Sequence, residues 1–352
     1  MIVWGRRAVS RLTSPARWRF TPAAVVLAYH RVAAPDFDPQ LLAVTPGHFA
    51  EHLEVLRRES RVIGLADLSR ALQRGHVPRG AVVITFDDGY GDNLQHARSA
   101  LAAYGTPATV FATSGNIASG AAFWWDQLDS WLLRPGRLPD QLRLRLHGRW
   151  YEWHLGECSA YFVTDYERNR AWNVLRQDDP TARHSLYRDL HRLLRRLPPA
   201  TRASVMAQLA AWAGANDAAD LTGRPMSPEE LAALSTPGLV EIGSHTVNHP
   251  VLSALPLEGQ SAEIQASKKA IEEIIGRRVS SFSYPFGGRQ DYTQSTISFV
   301  RNTGHGIACS NFPGLVDRHT DRYQVPRLLV RDWDGDEFAH RLRAWFRHAD
   351  TL

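Results

Sequence analysis

The sequence predicts an α/β fold built on a parallel sheet or barrel, with a mostly helical insertion in its middle. Short apolar runs of strand length alternate with helical segments in the first third and again in the last third of the chain, a pattern typical of parallel α/β architectures. Between about residues 121 and 228 the alternation gives way to long helical stretches, which contain seven of the eleven tryptophans. We therefore place one barrel at 24–352, interrupted at about 121–228.

Three strands and two helices are predicted before the insertion. Each strand is a short apolar run suited to burial on both faces. The first helix begins at Pro46, a residue favoured in the first helical turn, and it spaces Phe49, Leu53 and Leu56 along one side. In chain order, the elements are a strand over 24–30, a helix over 46–59, a strand over 81–86, a helix over 91–104 and a strand over 106–113.

The same alternation resumes after the insertion. A helix over 260–276 is predicted to end at Gly276, because glycine readily adopts the left-handed backbone that closes a helix. The other predicted elements are strands over 239–245, 280–286 and 323–330 and, inside the insertion, a short hairpin around 142–155 and helices around 187–197 and 203–214.

The composition indicates an ordinary globular protein. With 44% hydrophobic and 22% charged residues, the 352-residue chain can bury a large core, which excludes the disordered, collagen-like and coiled-coil classes. The two cysteines, Cys158 and Cys309, form no C-x-x-C pair, so a thiol-rich zinc site is excluded. So few cysteines also suit a reducing compartment.

Positive charge is concentrated at the N-terminus. The net charge is +5, and the first 35 residues hold six arginines and no acidic residue. The rest of the chain is therefore close to neutral, which argues against a nucleic-acid-binding face on the body of the fold. The sequence has no run of 18 or more apolar residues, and its N-terminus carries arginines where an export signal would need seven or more consecutive apolar residues, so we expect a cytoplasmic protein.

Residues 1–23 form a predicted basic arm. Its five arginines are interspersed with apolar side chains such as Trp4, Trp18 and Phe20, the mixture expected of a segment that rests on an anionic membrane surface. We therefore expect weak, salt-sensitive peripheral binding to the inner membrane face, which deletion of residues 1–20 abolishes. The alternative is an arm that is solvated or packed on the barrel.

Two adjacent carboxylates mark the first candidate site. Asp87 and Asp88 directly follow the strand predicted over 81–86, and Gly89 permits a sharp turn after them. Two charges at the end of a buried strand are costly unless a positive group lies beside them. In an α/β barrel, this end of a strand is where active sites are built. The alternative is a turn in which one aspartate caps the next helix.

Two histidines mark the second candidate site, after the strand predicted over 239–245. His245 and His249 are four positions apart, and in a turn of helix such residues face the same side and can share a metal ion. With one carboxylate of the first motif they supply the ligand set of a catalytic zinc-type site with an open water position. The alternative is a pair of solvated or capping histidines.

These motifs resemble those of the polysaccharide deacetylase family, carbohydrate esterase family 4. The segments TFDDGY (85–90), SHTVNH (244–249) and SYPFG (283–287) are similar to its first three motifs, in order and at the ends of successive strands. The resemblance covers about 24–120 and 228–335. It implies a distorted, incomplete (β/α) barrel of about seven strands and metal-dependent removal of an N-acetyl group from an amino sugar.

The resemblance also implies a role for each site residue. Asp88, His245 and His249 would bind a divalent metal ion, with Zn²⁺ as the first choice, although the same donors suit Co²⁺, Ni²⁺ or Fe²⁺. Asp87 would be the general base for the attacking water. The backbone N–H of Phe286 would help to hold the developing oxyanion.

The sequence departs from the family pattern at two positions. The arginine that usually opens the third motif and orients the catalytic carboxylate is Ser283 here; Arg327, on a later strand, is the candidate to replace it, or else a surface residue. No histidine matches the general acid of the last motif, so His30 is the candidate for a substitute acid or a substrate contact, or else a buried core residue. By the same resemblance, Asp332 and Trp333 are expected to shape the pocket and support the catalytic groups, or else to form a plain turn.

The sequence thus predicts a metal-dependent hydrolase acting on an N-acetylated polysaccharide, oligosaccharide or glycolipid precursor, with no nucleic-acid partner. A related deformylase or other C–N hydrolase is an alternative, because the metal and base do not specify the acyl group. An inactive carbohydrate-binding barrel is a second alternative, disfavoured by the complete set of ligands and base. The tryptophans of the insertion, including Trp124, Trp125 and Trp131, are expected to line the sugar site or else to fill a helical core.

Overall fold

The computed structural model describes residues 23–215, 223–236 and 238–347. None of the helices in these ranges combines the length and the apolar character needed to cross a membrane. Apart from Ala23, the predicted basic arm lies outside the described residues, so its membrane contact stays a prediction.

Fourteen strands are found in the described ranges, most of them short. In chain order they are β1 (Ala24–Tyr29), β2 (Arg31–Val32), β3 (Ala43–Val44), β4 (Arg61–Val62), β5 (Ala81–Phe86), β6 (Ala108–Ala112), β7 (Gly136–Arg137), β8 (Gln141–Leu146), β9 (Arg149–His154), β10 (Ala160–Tyr161), β11 (Val240–Ser244), β12 (Ser281–Ser283), β13 (Ile307–Cys309) and β14 (Leu328–Leu329).

Seven of these strands form a parallel sheet in the spatial order β13-β12-β11-β6-β5-β1-β14, and β4 pairs with the first two residues of β5. The chain before β14 joins the two edges of the sheet, because Val325 bridges to Cys309 of β13 while Leu328 and Leu329 pair with β1. This arrangement confirms the predicted distorted (β/α) barrel of about seven strands.

The central strands are buried on both faces. In β1, Val25 and Leu27 belong to the core between the sheet and its helices, whereas Ala24 and Val26 belong to the core on the other face. Side chains alternate between faces with a period of two, so a strand with two buried faces has to be apolar throughout. The continuous apolar runs of the sequence are explained by this double burial.

Twelve α-helices surround the sheet or form the insertion. They are α1 (Pro46–Glu59), α2 (Leu65–Gln73), α3 (Arg98–Ala103), α4 (Ser114–Ser119), α5 (Trp124–Leu132), α6 (Val163–Asn169), α7 (Ala182–Arg195), α8 (Pro199–Ala213), α9 (Pro228–Leu234), α10 (Leu257–Ile275), α11 (Gln294–Asn302) and α12 (Gly335–Arg347), all within the described ranges.

Local signals fix the ends of the predicted helices. Helix α1 has the predicted bounds: the Thr45 hydroxyl accepts a hydrogen bond from the His48 N–H, and Pro46 occupies the first turn. Helix α10 ends before Gly276, whose φ of 66° is left-handed as expected. The predicted helix over 91–104 begins with a π-helical turn over 93–97 and continues as α3.

Two predicted strands are shorter than expected, and proline accounts for both. The strand predicted over 280–286 is limited to β12, and the one predicted over 323–330 to β14. Pro285 and Pro326 lack the N–H that a sheet ladder requires. The chain therefore leaves regular pairing at these two points.

The insertion has a hydrophobic core of its own. Helices α5, α7 and α8 pack there against the inward face of the β8–β9 hairpin, which the sequence predicted. Leu128, Leu190 and Leu209 are almost fully buried in this core. Tyr90, which follows the Asp-Asp-Gly motif, joins the same core and thereby links the insertion to the site end of the barrel.

Candidate metal centre and active site

The candidate residues meet at the carboxyl ends of the parallel strands. Asp87 and Asp88 follow β5, His245 follows β11, and the segment after β12 carries Phe286. A cavity of about 270 Å³ opens onto all five of the side chains of Asp87, Asp88, His245, His249 and Phe286. Parallel strands bring their carboxyl ends to one edge, which is where sites form in such folds.

Asp88, His245 and His249 form a compact, buried cluster. The Asp88 Oδ1 atom lies 3.5 Å from the His245 Nε2 atom and 3.4 Å from the His249 Nε2 atom. One ligand atom from each of the three residues lies within 4.8 Å of the others, close enough to hold one metal ion. It is the one such group of ligand side chains in the part of the chain that the structure describes.

The two histidines are not on a helix, so that part of the prediction is wrong. Residues 245–249 form a loop in which Thr246 and His249 have left-handed backbone, with φ of 66° and 50°. The loop still brings the two rings together, with their centroids 4.9 Å apart. Asp88 is left-handed as well, with φ of 74°. The ligand geometry therefore depends on unusual backbone conformations rather than on helical spacing.

The loop formed by residues 245–249 is held against α4 by hydrogen bonds to its backbone carbonyls. The N–H groups of Ser114 and Gly115, at the start of α4, donate to the carbonyls of Thr246 and Val247 at 3.1 and 2.9 Å. A Cβ at position 115 would lie 2.6 Å from the Val247 carbonyl oxygen, so only glycine fits there. The loop consequently rests directly on α4.

Two buried charged residues complete this support. The Glu263 carboxylate, on α10, accepts hydrogen bonds from the N–H groups of Val247 and Asn248, both at 2.9 Å. Arg202, on α8 of the insertion, donates to the carbonyls of Asn248 and His249. Its side chain is buried, and the insertion therefore helps to position a metal ligand of the barrel.

Asp87 is held by Arg327 in a buried, bidentate ion pair. The Arg327 Nη1 and Nη2 atoms donate to the two carboxylate oxygens at 2.8 and 2.6 Å. The Ser283 hydroxyl lies between them, 2.9 Å from Arg327 Nη2 and 3.5 Å from Asp87 Oδ2. The structure therefore places Arg327 where the sequence required a substitute arginine, with Ser283 beside it.

The electrostatics of the site favour a bound cation. Burial, together with the charges of Asp87 and Asp126, raises the pKa of Asp88 well above its usual value. Burial also lowers the pKa of His245 and of His249, which favours the neutral form of both rings. The Asp88 Oδ1 atom is buried without a hydrogen bond. A cation would stabilise the ionised carboxylate and accept the lone pairs of two neutral rings.

The tautomer of His245 also fits a metal. Its Nδ1 atom lies 2.8 Å from the carbonyl oxygen of Ser283, which can only accept, so Nδ1 carries the proton. The Nε2 atom, which faces Asp88, is then unprotonated and free to ligate. A hydrogen bond of this kind orients metal-binding histidines generally.

Phe286 and His30 both reach the cavity. Phe286 has left-handed backbone, with φ of 60°, and its ring packs 4.7 Å from the His249 ring. Its backbone N–H donates to no acceptor in the described ranges. His30 follows β1 and lines the same cavity, where burial lowers its pKa to about 4. Whether these two residues act in catalysis stays a prediction.

The predicted pocket roles of Asp332 and Trp333 are wrong. The Asp332 carboxylate is partly exposed and accepts hydrogen bonds from Thr45 at the start of α1. The Trp333 ring packs against Trp345 and its carbonyl accepts from His52. Asp332 therefore holds the start of α1, and Trp333 joins α1 to the C-terminal helix, both outside the cavity lining.

The insertion forms one wall of the cavity. It contributes Trp125, Val174, His191 and Arg195 to the lining, and the Trp125 ring lies 4.9 Å from the His249 ring. Trp124 and Trp125 both belong to the core of the insertion, and Trp131 packs against it. Both predicted alternatives therefore apply to Trp125, whereas Trp124 and Trp131 contribute only to the core.

Several lining and supporting residues were not predicted from the sequence. They share no motif, and an isolated arginine or glutamate gives no sign of whether it is buried. The residues concerned are Gln40, Arg195, Arg202, Glu263, Asn311 and Arg331.

Comparisons with known families and proteins identify the family and the fold of the chain. The family model described as polysaccharide deacetylase matches residues 74–151 and 201–306. A curated relative named for the same family, YxkH of Bacillus subtilis (strain 168), is 27% identical over 105 residues. That match spans 30% of this chain and 36% of YxkH, so it covers only about a third of the relative.

Solved structures share the fold across almost the whole chain. The Streptococcus pyogenes deacetylase PplD, in complex with acetate, aligns over 91% of this chain and 98% of its own, with 15% identity and a TM-score of 0.55. IcaB from Ammonifex degensii aligns over 93% and 97%, with 18% identity and a TM-score of 0.54. At these identities the likeness establishes a common fold.

Proposed function

Because the chain belongs to the polysaccharide deacetylase family, we propose that it is a metal-dependent hydrolase that removes an N-acetyl group from an amino sugar. The substrate is then an N-acetylated polysaccharide, oligosaccharide or glycolipid precursor. The observation that carries the proposal is the buried cluster of Asp88, His245 and His249 beside a second carboxylate, Asp87, held by Arg327.

The proposed roles follow from the surroundings of each group. A divalent cation held by Asp88, His245 and His249 would supply Lewis-acid polarisation of water and of the acyl carbonyl. Asp87 accepts the proton of the attacking water and passes it to the amine nitrogen as the C–N bond breaks, which leaves the acid and the free amino sugar. Burial alone would raise the pKa of Asp87, but the Arg327 guanidinium holds it well below its usual range, so the base is ionised and oriented at neutral pH.

Two further groups complete the proposal. The Phe286 N–H donates to no acceptor among the residues that the structure describes, and we assign it to the developing oxyanion. His30 lines the cavity as a neutral imidazole at pH 7, since burial lowers its pKa to about 4. A neutral ring has little acid to give, so we assign His30 to substrate contact rather than to protonation of the leaving amine.

The proposed function is tested by measuring the carboxylic acid released from a panel of N-acylated amino sugars. Metal-loaded protein is expected to release acetate from N-acetylglucosamine oligomers or glycosides, and the Asp87→Asn variant to lose about 10²- to 10⁴-fold in kcat while it retains metal. Because asparagine has the same size as aspartate, we expect this variant to keep the fold and the metal. Circular dichroism and metal content check both expectations.

Three results would count against this assignment. Full activity of Asp87→Asn would remove that residue from the mechanism. Formate released in preference to acetate from matched N-formyl sugars would replace the deacetylase by a deformylase. Sugar binding without any acid release, at full metal content, would leave a binding barrel.

Trp125 and Trp131 provide a matched test of the wall formed by the insertion. Trp125 lies in the cavity, and its Nε1 atom donates to the Tyr90 hydroxyl at 2.7 Å, whereas Trp131 lies outside the cavity lining. Trp125→Phe is expected to raise KM by about tenfold through lost contact with the sugar. Trp131→Ala should lower thermal stability and leave KM unchanged. Equal KM values for the two variants would contradict a wall function for Trp125.

A further inference from the structure

Three arginines line the cavity or border the base, and two of them are neutralised by buried carboxylates. Arg327 pairs with Asp87, and Arg195 pairs with Asp291 through Nη2 at 2.7 Å. Asp291 is almost fully buried, so its charge is committed to Arg195. The third arginine, Arg331, lines the same cavity but forms no ion pair with a carboxylate of the described residues.

Arg331 has no carboxylate partner within ion-pair distance among the described residues. Its Nη1 atom donates to the backbone carbonyls of Gln40 and Leu41, which carry no charge. The acid that acts on the Arg331 charge is Asp38, and both oxygens of that carboxylate accept backbone N–H groups, from Leu42 at 3.0 Å and from Ala43 at 2.7 Å. Arg331 is therefore partly buried, and Asp38 acts on its charge without forming an ion pair with it.

The position of Arg331 is fixed relative to the reacting groups. It follows β14, which pairs with β1, and it lines the cavity together with Leu329 and His30. The carbonyls of Gln40 and Leu41 accept hydrogen bonds from only one nitrogen of the Arg331 guanidinium, Nη1. Its Nε and Nη2 atoms donate to no residue in the described ranges and remain available to a ligand.

We propose that Arg331 binds an anionic group of the substrate, a carboxylate or a phosphate, so that the acylated sugar is itself acidic or carries an acid on the adjoining unit. The proposal rests on the proposed function. A guanidinium binds either oxyanion through charge-assisted, often bidentate, hydrogen bonds. A neutral chitin-like substrate would instead leave the charge facing sugar hydroxyls.

Matched sugars test the proposal. N-acetylmuramic acid adds a carboxylate to N-acetylglucosamine, and N-acetylglucosamine 1-phosphate adds a phosphate. With metal-loaded full-length protein, kcat/KM for one of the two acids is expected to exceed that for N-acetylglucosamine by about 10- to 100-fold. Whichever acid is preferred identifies the source of the anion. The preference should weaken as salt is raised, because screening acts on charges that are open to solvent.

Arg331→Gln is expected to reduce this ratio to about threefold or less, and Arg331→Lys to give an intermediate ratio, because a lysine offers a point charge without the planar fork. Arg301→Gln is the matched control, since it removes one positive charge from an exposed helix position outside the cavity. That control should keep the wild-type ratio. A purely structural role of Arg331 at Gln40 and Leu41 would change stability but not the ratio.

A binding experiment separates failure of this proposal from failure of the proposed function. Calorimetric titration of the Asp87→Asn protein with the same three sugars reports affinity without turnover. One outcome is that no acetate is released from any sugar, while the acidic sugar still binds more tightly than N-acetylglucosamine and this preference requires Arg331. The proposed function then fails and the anion site stands. If acetate is released and the acid preference is absent, or survives Arg331→Gln, the anion site is overturned.

Discussion

Replacing any one of Asp88, His245 and His249 by alanine is expected to abolish metal retention while the barrel stays folded. The three ligand atoms lie within 4.8 Å of one another, and two ligands are too few to hold a catalytic cation. Mass spectrometry of purified protein should show about one ion per wild-type chain and near none in each variant. Acetate release should fall with the metal content.

The melting temperature provides a test of metal binding that does not depend on enzyme activity. Because a metal that binds only the folded state adds to the free energy of unfolding, added Zn²⁺ should raise the melting temperature of the wild type and leave the three variants unchanged. His191→Ala is the control: this histidine lines the same cavity but is outside the cluster, so its variant should still bind metal. Unchanged metal content in the ligand variants would reject the assignment.

Replacing Arg327 by methionine is expected to destabilise the protein by about 3–5 kcal/mol and to lower kcat by about 10²-fold or more. The Arg327 side chain is fully buried and that of Asp87 nearly so, so the variant leaves an unpaired carboxylate in the interior. The free energy of unfolding, measured in urea, checks the first effect. Adding Asp87→Asn should recover part of the lost stability, since the double variant buries no unpaired charge.

The cost of Arg327→Met should depend on pH in a defined direction. In the wild type Arg327 holds the pKa of Asp87 below its unfolded value of about 4, so the pair adds stability above that pH and loses it as pH falls. Without Arg327, burial raises the pKa of Asp87, and the variant loses stability as pH rises above about 4. The difference between the two proteins should therefore widen from about pH 5 to pH 7. A constant difference would contradict the ion-pair explanation.

Local signals in the sequence were sufficient for part of the fold. Thr45 and Pro46 mark the start of α1, and Gly276 marks the end of α10, through chemistry confined to a few neighbouring residues. The buried strands β1 and β5 are equally local, because double burial demands an unbroken apolar run. Strand β13, with three residues, is too short to give such a signal.

The rest of the site depends on contacts between distant parts of the chain. Arg327 meets Asp87 only because the barrel closes between β13 and β1, and no spacing rule links residues 240 positions apart. Arg202 and Glu263 hold the histidine loop from two different helices, and a buried charged residue looks the same in sequence as an exposed one. The spacing of His245 and His249 predicted that their rings lie close together. It did not predict the loop conformation that brings the rings together.

The left-handed backbone at the site has a thermodynamic consequence. Asp88, Thr246, His249 and Phe286 are four of the six non-glycine residues with positive φ in the described ranges. Each costs about 1 kcal/mol relative to glycine at the same position. The backbone contribution to stability would favour glycine there, and at three of the four positions glycine would delete a proposed ligand or a ring of the pocket. Stability and activity therefore oppose each other at these positions, and stabilised variants are better sought on the outer surface of the insertion, where Trp150 and Leu175 are exposed.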